Sequence, residues 1–299
     1  MANALLEKNL FAPGHTACSG CGEALGMKLL MEALGPNVII ANATGCSEIF
    51  TTRYPQSAWR VPWIHSLFEN SSAVASGIES ALKAMGREGE ARVVNIGGDG
   101  ALADIGMGPF SGMLERGHDI LTILLDNEAY MNTGIQRSSM TPLGASTTTS
   151  PSGKESLGSD TNKKDMIDIA IAHRAKYVAT ATVAYPMDLK KKVQKAMEIK
   201  GPRFIHFLVP CPLGWRFPSN TTIKISKLAV QTGMFPLVEF ENGKLIKATP
   251  IGKKVPIEDY LKPQGRFKHL FNQEGGKVDI ERLQRYADAN IEKYGLIKS

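Results

Sequence analysis

The sequence lacks an apolar run long enough to cross a bilayer, which takes about 20 residues. Stretches such as 120–125 end well short of that, so no membrane role is expected. It also lacks, at its start, a basic stretch followed by a long apolar core. The first 13 residues hold only short apolar patches at 4–6 and 10–12, no secretory signal is read there, and a cytoplasmic location is expected. Aromatics are scarce at 7%, which disfavours an aromatic-rich all-β module, whereas 29 glycines and 16 prolines suit many tight strand-to-helix turns. No dense basic block accompanies the net charge of +6. Lys190, Lys191, Lys192, Lys195 and Lys200 read as a solvated helix face, and nucleic acid is not an expected partner. Cysteine is sparse too. Cys18, Cys21, Cys46 and Cys211 are too few for a disulfide scaffold, and in a reducing compartment they are metal ligands or free core residues.

What is present is a globular balance, 43% hydrophobic and 21% charged over 299 residues. Leu25, Leu29, Leu30 and Leu34 recur at helical spacing over 22–34, which ends at Gly35-Pro36. Short apolar runs at 38–41, 92–96 and 120–125 predict buried strands. Small residues over 71–85 and the segment 109–116 predict the helices between them. Strand, helix, strand in this order is the parallel crossover unit. It continues through helices at 165–174 and 187–199 and strands at 177–182 and 203–209. The expected fold class is therefore α/β, an open, mostly parallel sheet with helices on both faces. Residues 138–164, rich in Ser, Thr, Gly, Pro and Lys, predict a long ordered loop or a mobile flap, and a loop of that length is usually functional. Beyond residue 220 the character changes: 236–248, centred on Asn242-Gly243, predicts a hairpin, and 280–294 a helix. Two units are expected, 1–220 for binding and 221–299 as a C-terminal extension. There is no internal repeat.

Two motifs carry chemistry. Cys18-Ser-Gly-Cys21 lets two thiolates face one metal, with Gly20 relieving the crowding, while Cys46 and Cys211 are single cysteines in turns. A four-iron cluster, structural zinc and unconnected cysteines all fit that spacing. A thioredoxin-like pair fits less well, since no strand precedes it. Gly98-Asp99-Gly100 closes one predicted strand and Asp126-Asn127 the next. Neighbouring strand ends can bring Asp99, the Asn127 amide and a backbone carbonyl, that of Ala129, to one hard cation, Mg²⁺ or Ca²⁺. The glycines admit a diphosphate against the backbone, and a helix start adds a positive dipole end. A plain turn is the bland alternative for Gly-Asp-Gly alone.

The Gly-Asp-Gly and Asp-Asn pair is similar to the thiamine diphosphate motif, departing from it at Asp126, where that motif has Asn. With Gly14-His15, Ala43-Thr44-Gly45-Cys46, Pro62 to Asn70, Tyr130 to Gly134 and Pro210-Cys211-Pro212-Leu213-Gly214-Trp215, nearly the whole chain resembles the β subunit of the pyruvate:ferredoxin oxidoreductases, in the 2-oxoacid:ferredoxin oxidoreductase superfamily. Similarity is weakest over 221–299.

The resemblance implies an enzyme that oxidatively decarboxylates a 2-oxoacid with coenzyme A, or runs the reverse, and passes electrons to ferredoxin. It implies thiamine diphosphate, Mg²⁺ on Asp99, Asn127 and Ala129, and one [4Fe-4S] cluster on Cys18, Cys21, Cys46 and Cys211. Thr44, Gly45, Cys46, Gly98, Gly100 and Thr133 would lie along the cofactor, and Asn132 would face the reacting carbon. His65 is a candidate for a cofactor-proximal role, with Glu69 and Asn70 treated alike, against the plainer reading of hydrogen-bonded core residues. The glutamate that activates thiamine is implied to come from an α subunit, and further clusters from γ and δ subunits or a fused equivalent. Helix 71–85 and loop 138–164 are expected contact surfaces. Three rivals remain at this point: the same chemistry on another 2-oxoacid, such as oxalate or a branched-chain or aryl 2-oxoacid; a non-redox thiamine-dependent decarboxylase subunit with structural zinc; and a noncatalytic scaffold.

Overall fold

Strands that are apolar along their whole length can be buried on both faces only if helices cover both. A computed structural model of the chain, which describes residues 9–53 and 55–297, has that arrangement; the apolar patch at 4–6 lies outside the described residues. β1 (Val38–Ala43), β3 (Arg92–Gly98), β4 (Ile120–Asp126), β7 (Tyr177–Thr182) and β8 (Arg203–Leu208) are buried almost throughout. With the edge strand β2 (Trp63–Ser66) and the pair β9 (Val238–Glu241) and β10 (Lys244–Ala248), they form one sheet in the order β10-β9-β7-β8-β4-β3-β1-β2. From β2 to β7 every pairing is parallel; β9 and β10 run antiparallel.

Alternate strand residues feed two cores. Ile40, Val94, Ile123 and Phe207 pack with α1 (Gly22–Leu34) and the later helix Pro186–Glu198, while Ala41, Val93, Leu124 and Phe204 pack under the helices Ser71–Ala84, Met107–Glu115 and Met166–Ala172. The expected elements are present, with ends shifted by a few residues. β2 was not foreseen: it is short, follows Pro62, and leaves Ile64 and His65 exposed. The helix Thr222–Gln231 was likewise missed.

Lys192 departs from the solvated face expected for its neighbours. It is buried, donating to the Thr180 carbonyl at 2.9 Å and pairing with Asp188, and those two partners are what make its burial tolerable.

The expected hairpin forms around Asn242 and Gly243, both at positive φ as a tight two-residue turn demands, and it extends the main sheet through β9 against β7. The remainder of 221–299 shares a third core, in which Ile225, Leu237, Tyr260, Phe267 and Leu283 pack with Trp215 and with Leu143 and Ala145 of the long loop. That loop is ordered, buried over 140–147, and carries only the small hairpin β5 (Ser152–Gly153) and β6 (Ser156–Leu157).

Candidate functional site

Chain connections leave β1 toward β2 and β3 toward β4, in opposite directions, so a crevice opens at the carboxyl ends of β1 and β3, where open sheets bind ligands. The register sets the ends side by side: Gly98 lies opposite Leu125, and Asp126 opposite Leu208. A cavity of about 280 Å³ fills this edge. It is lined by Thr44, Gly45 and Cys46 after β1, by Gly98, Asp99 and Gly100 after β3, and by Asn127, Ala129, Asn132 and Thr133 after β4, with Tyr130, Met131, Phe68 and Glu23 closing it. Asn132 and Thr133 are exposed at its mouth. Gly100 has no room for a side chain, because a Cβ would stand 2.4 Å from the Tyr130 ring. His65 is set apart from the lining. Its exposed ring stacks on Trp63, and its Nε2 meets Thr44 Oγ1 at 2.7 Å, one hydrogen bond away from the cavity.

The acidic side of the cavity is tightly fixed. Asp99 is buried and accepts from Ser138 Oγ at the start of the long loop; burial and the neighbouring Asp126 carboxylate push its carboxyl well up. Asn127 donates through Nδ2 to Glu23 Oε2 at 3.0 Å, while its Oδ1 is buried without a partner. Its carbonyl accepts the Trp215 indole N–H at 2.7 Å. On the reverse of the same loop, Asp126 and Glu128 enter a buried ion network. Lys163 Nζ lies 2.7 Å from Asp126 and 2.6 Å from Glu128, His206 Nε2 lies 2.7 Å from Asp126, and Arg266 pairs with Glu128 while its guanidinium sits 3.8 Å over the Trp215 ring. Against its burial, Lys163 and His206 hold the Asp126 carboxyl well below the ordinary range. This is why an Asp can stand where the thiamine motif has Asn: its side chain is turned away from the cavity and neutralised there.

The thiol side is built from three segments. Cys18 is exposed, and Cys21, Cys46 and Cys211 are half-buried. Gly20, at positive φ, presses on the Ser219 carbonyl so closely that a Cβ would lie 2.0 Å from it, and the Gly22 N–H donates to the Pro210 carbonyl at 3.1 Å. Those two contacts lay the clip against the Cys211 segment. Cys21 Sγ accepts from the Ala24 N–H at 3.4 Å and Cys211 Sγ from the Gly214 N–H at 3.3 Å. Burial, then the Glu23 carboxylate, pushes the Cys21 thiol up to about 12, and burial raises Cys46 and Cys211 as well. Among the described residues, no three His, Cys, Asp or Glu side chains converge closely enough for one metal ion.

Sequence reasoning missed Glu23. Burial pushes its carboxyl up to about 7, although Asn127 and the Ser47 N–H stabilise the charge. The signal was legible: Glu23 falls in helical register with Met27, Leu30 and Leu34, which places a carboxylate on an apolar face. Lys163, His206 and Arg266 carried no such signal.

A family model described as thiamine pyrophosphate enzyme, C-terminal TPP binding domain, matches residues 43–207. Pyruvate synthase subunit PorB of Methanosarcina barkeri is 50% identical, covering 97% of this chain and 98% of its own length; the PorB of Methanocaldococcus jannaschii is 52% identical with the same coverage. Ketoisovalerate oxidoreductase subunit VorB of Pyrococcus abyssi is 52% identical over 94% of this chain and 90% of its own. Among solved structures, a 2-oxoglutarate:ferredoxin oxidoreductase from Magnetococcus marinus, with 2-oxoglutarate, coenzyme A and succinyl-CoA bound, aligns with a TM-score of 0.59 and 25% identity, covering 69% of this chain and 68% of that one.

Proposed function

The chain belongs to the family of pyruvate:ferredoxin oxidoreductase β subunits, with the thiamine diphosphate-binding domain of that family, and on that premise we propose that, with partner subunits, it catalyses coenzyme A-dependent oxidative decarboxylation of pyruvate to acetyl-CoA and CO₂, or the reverse, with ferredoxin as electron partner. The observation that carries this reading is a cavity of oxygen donors with Cys46 in its lining, next to a second pocket lined by Cys18 and Cys21. Asp99, the unpaired Asn127 Oδ1 and the Ala129 carbonyl are hard donors that suit Mg²⁺, and Gly98, Gly100, Thr44 and Gly45 leave the backbone open to a diphosphate. Cys46 in the cavity lining, Cys18 and Cys21 in the neighbouring pocket and Cys211 on the segment laid against that clip, separate rather than on a single point, suit the four corners of a [4Fe-4S] cluster. When bound, thiamine diphosphate would supply an electron sink for decarboxylation, and a cluster would supply one-electron oxidation.

The protein's own groups orient and shield. Asn132, at the mouth, meets the 2-oxoacid, Thr133 beside it lies along the cofactor, and His65 steadies Thr44 from outside. Glu23 is engaged with Asn127, and, as the family resemblance implies, the glutamate that activates the cofactor is assigned to an α subunit and onward electron transfer to γ and δ subunits. The isolated chain should not turn over. Residues 1–220 are the binding unit and 221–299 an extension that braces it. Among the described residues no helix is long and apolar enough to cross a membrane, and we place the complex in the cytoplasm.

A second reading, a branched-chain 2-oxoacid, is favoured by the equal identity of the ketoisovalerate relative. The co-expressed complex, assayed with coenzyme A and a low-potential dye against a panel of 2-oxoacids, separates the two: pyruvate should give the highest kcat/KM, and a preference for 2-ketoisovalerate would replace it. A colourless zinc protein after anaerobic purification would reject both.

A further inference from the structure

Glu23 has no catalytic part in the reading above, yet it is almost fully buried and lines the cavity. One carboxylate oxygen takes the Asn127 Nδ2 hydrogen at 3.0 Å. The far end of the Asn127 amide is left buried and unpaired, and Asn127 lines the cavity together with Asp99. Buried amides normally satisfy both ends, so the unpaired oxygen marks the side reserved for a ligand.

We propose that Glu23 is a positioning residue that selects which end of the Asn127 amide faces the cation. The proposal rests on the reading of Asp99 and Asn127 as cation ligands. An amide offers two ends of nearly equal shape and opposite polarity, whereas the Glu23 oxygen that faces it is an acceptor. Glu23 therefore admits the NH₂ end and turns Oδ1 into the cavity. In the opposite orientation two oxygens would face each other, and the NH₂ would meet the cation.

Glu23→Gln keeps the shape and removes one acceptor. With its NH₂ end toward Asn127, the new amide donates where Glu23 accepted and turns that side chain over. In the intact complex, stripped of cation and cofactor and then titrated with Mg²⁺ at fixed thiamine diphosphate, the half-saturating Mg²⁺ read by tryptophan fluorescence should rise about 10- to 100-fold. Asn127→Asp alone sets two carboxylates against each other and should also raise it. The exchange E23Q/N127D reverses the polarity of the same hydrogen bond and keeps one charge, so half-saturation should return to within about threefold of the starting complex, a strong coupling between the two sites. A packing role would make the exchange as poor as the worse single variant, and that result overturns the proposal, as does an E23Q complex with unchanged half-saturation. Asp99→Ala separates this inference from the one beneath it. Lost Mg²⁺ dependence in D99A beside a normal E23Q sinks the positioning role alone, whereas Mg²⁺-dependent binding that survives in D99A sinks the cation site itself. Should E23Q not assemble, N127D against the exchange decides the matter.

Discussion

On the acidic side of the cavity, the loop after β4 alternates its duties: Asn127 and Ala129 face the cavity while Asp126 and Glu128 are pinned from behind by Lys163, His206 and Arg266. On the thiol side, Cys18, Cys21, Cys46 and Cys211 hang from turns of three segments, fitted together by close backbone approaches at Gly20 and Gly22. The first side holds its donors in place through buried charge, which is costly to desolvate and costlier to break. The second relies on shape, with weak sulfur hydrogen bonds at Cys21 and Cys211. The difference follows from the ligands each would hold: a small cation demands near-octahedral oxygens, whereas a cluster brings its own rigid frame.

Breaking the acidic side should have the largest effect. Lys163→Met leaves two buried carboxylates without their shared cation and should lower the unfolding free energy by about 3–5 kcal/mol; urea denaturation checks it, and a loss under 1 kcal/mol would mean that the network is incidental. On the thiol side, Gly20→Ala forces a side chain into a left-handed residue and onto the Ser219 carbonyl, with an expected cost of about 1–3 kcal/mol and a matching fall in iron bound per chain. Trp215→Phe joins the two sides, because it removes the indole donor from the Asn127 carbonyl while keeping most of the packing. About 1–2 kcal/mol of stability should go, with weaker Mg²⁺-dependent thiamine binding. The smallest effect belongs to His65→Gln, an exposed ring on Thr44. Stability should change by less than about 0.5 kcal/mol, and a larger shift in thermal unfolding would move His65 into the site proper.

How much of this was legible depended on whether the cause was local. β1, β3, β4, β7 and β8 announce themselves as apolar runs because both faces are covered, and β2 does not because two of its four residues face solvent. The cavity residues from Thr44 to Thr133 were readable because each follows a strand end and the parallel register then brings them together. Asp126 was readable only as an irregularity, since what neutralises it comes from residues 163 and 206, on two different segments. The burial of 140–147 was hidden for a similar reason: Leu143 and Ala145 have no periodic apolar neighbours, and their partners lie in 221–299.

The central claim is that a thiamine site in the cavity and a cluster site beside it, meeting at Cys46, are adjacent yet separately built. It is tested most directly by purifying the chain anaerobically as wild type and as Cys211→Ala, then measuring bound iron and Mg²⁺-dependent thiamine diphosphate binding on the same samples. The expected result is about four irons per chain in the wild type, a near-complete loss of iron in the variant, and unchanged thiamine binding in both. A variant that keeps its full complement of iron, or a wild type that binds zinc instead, would contradict the account.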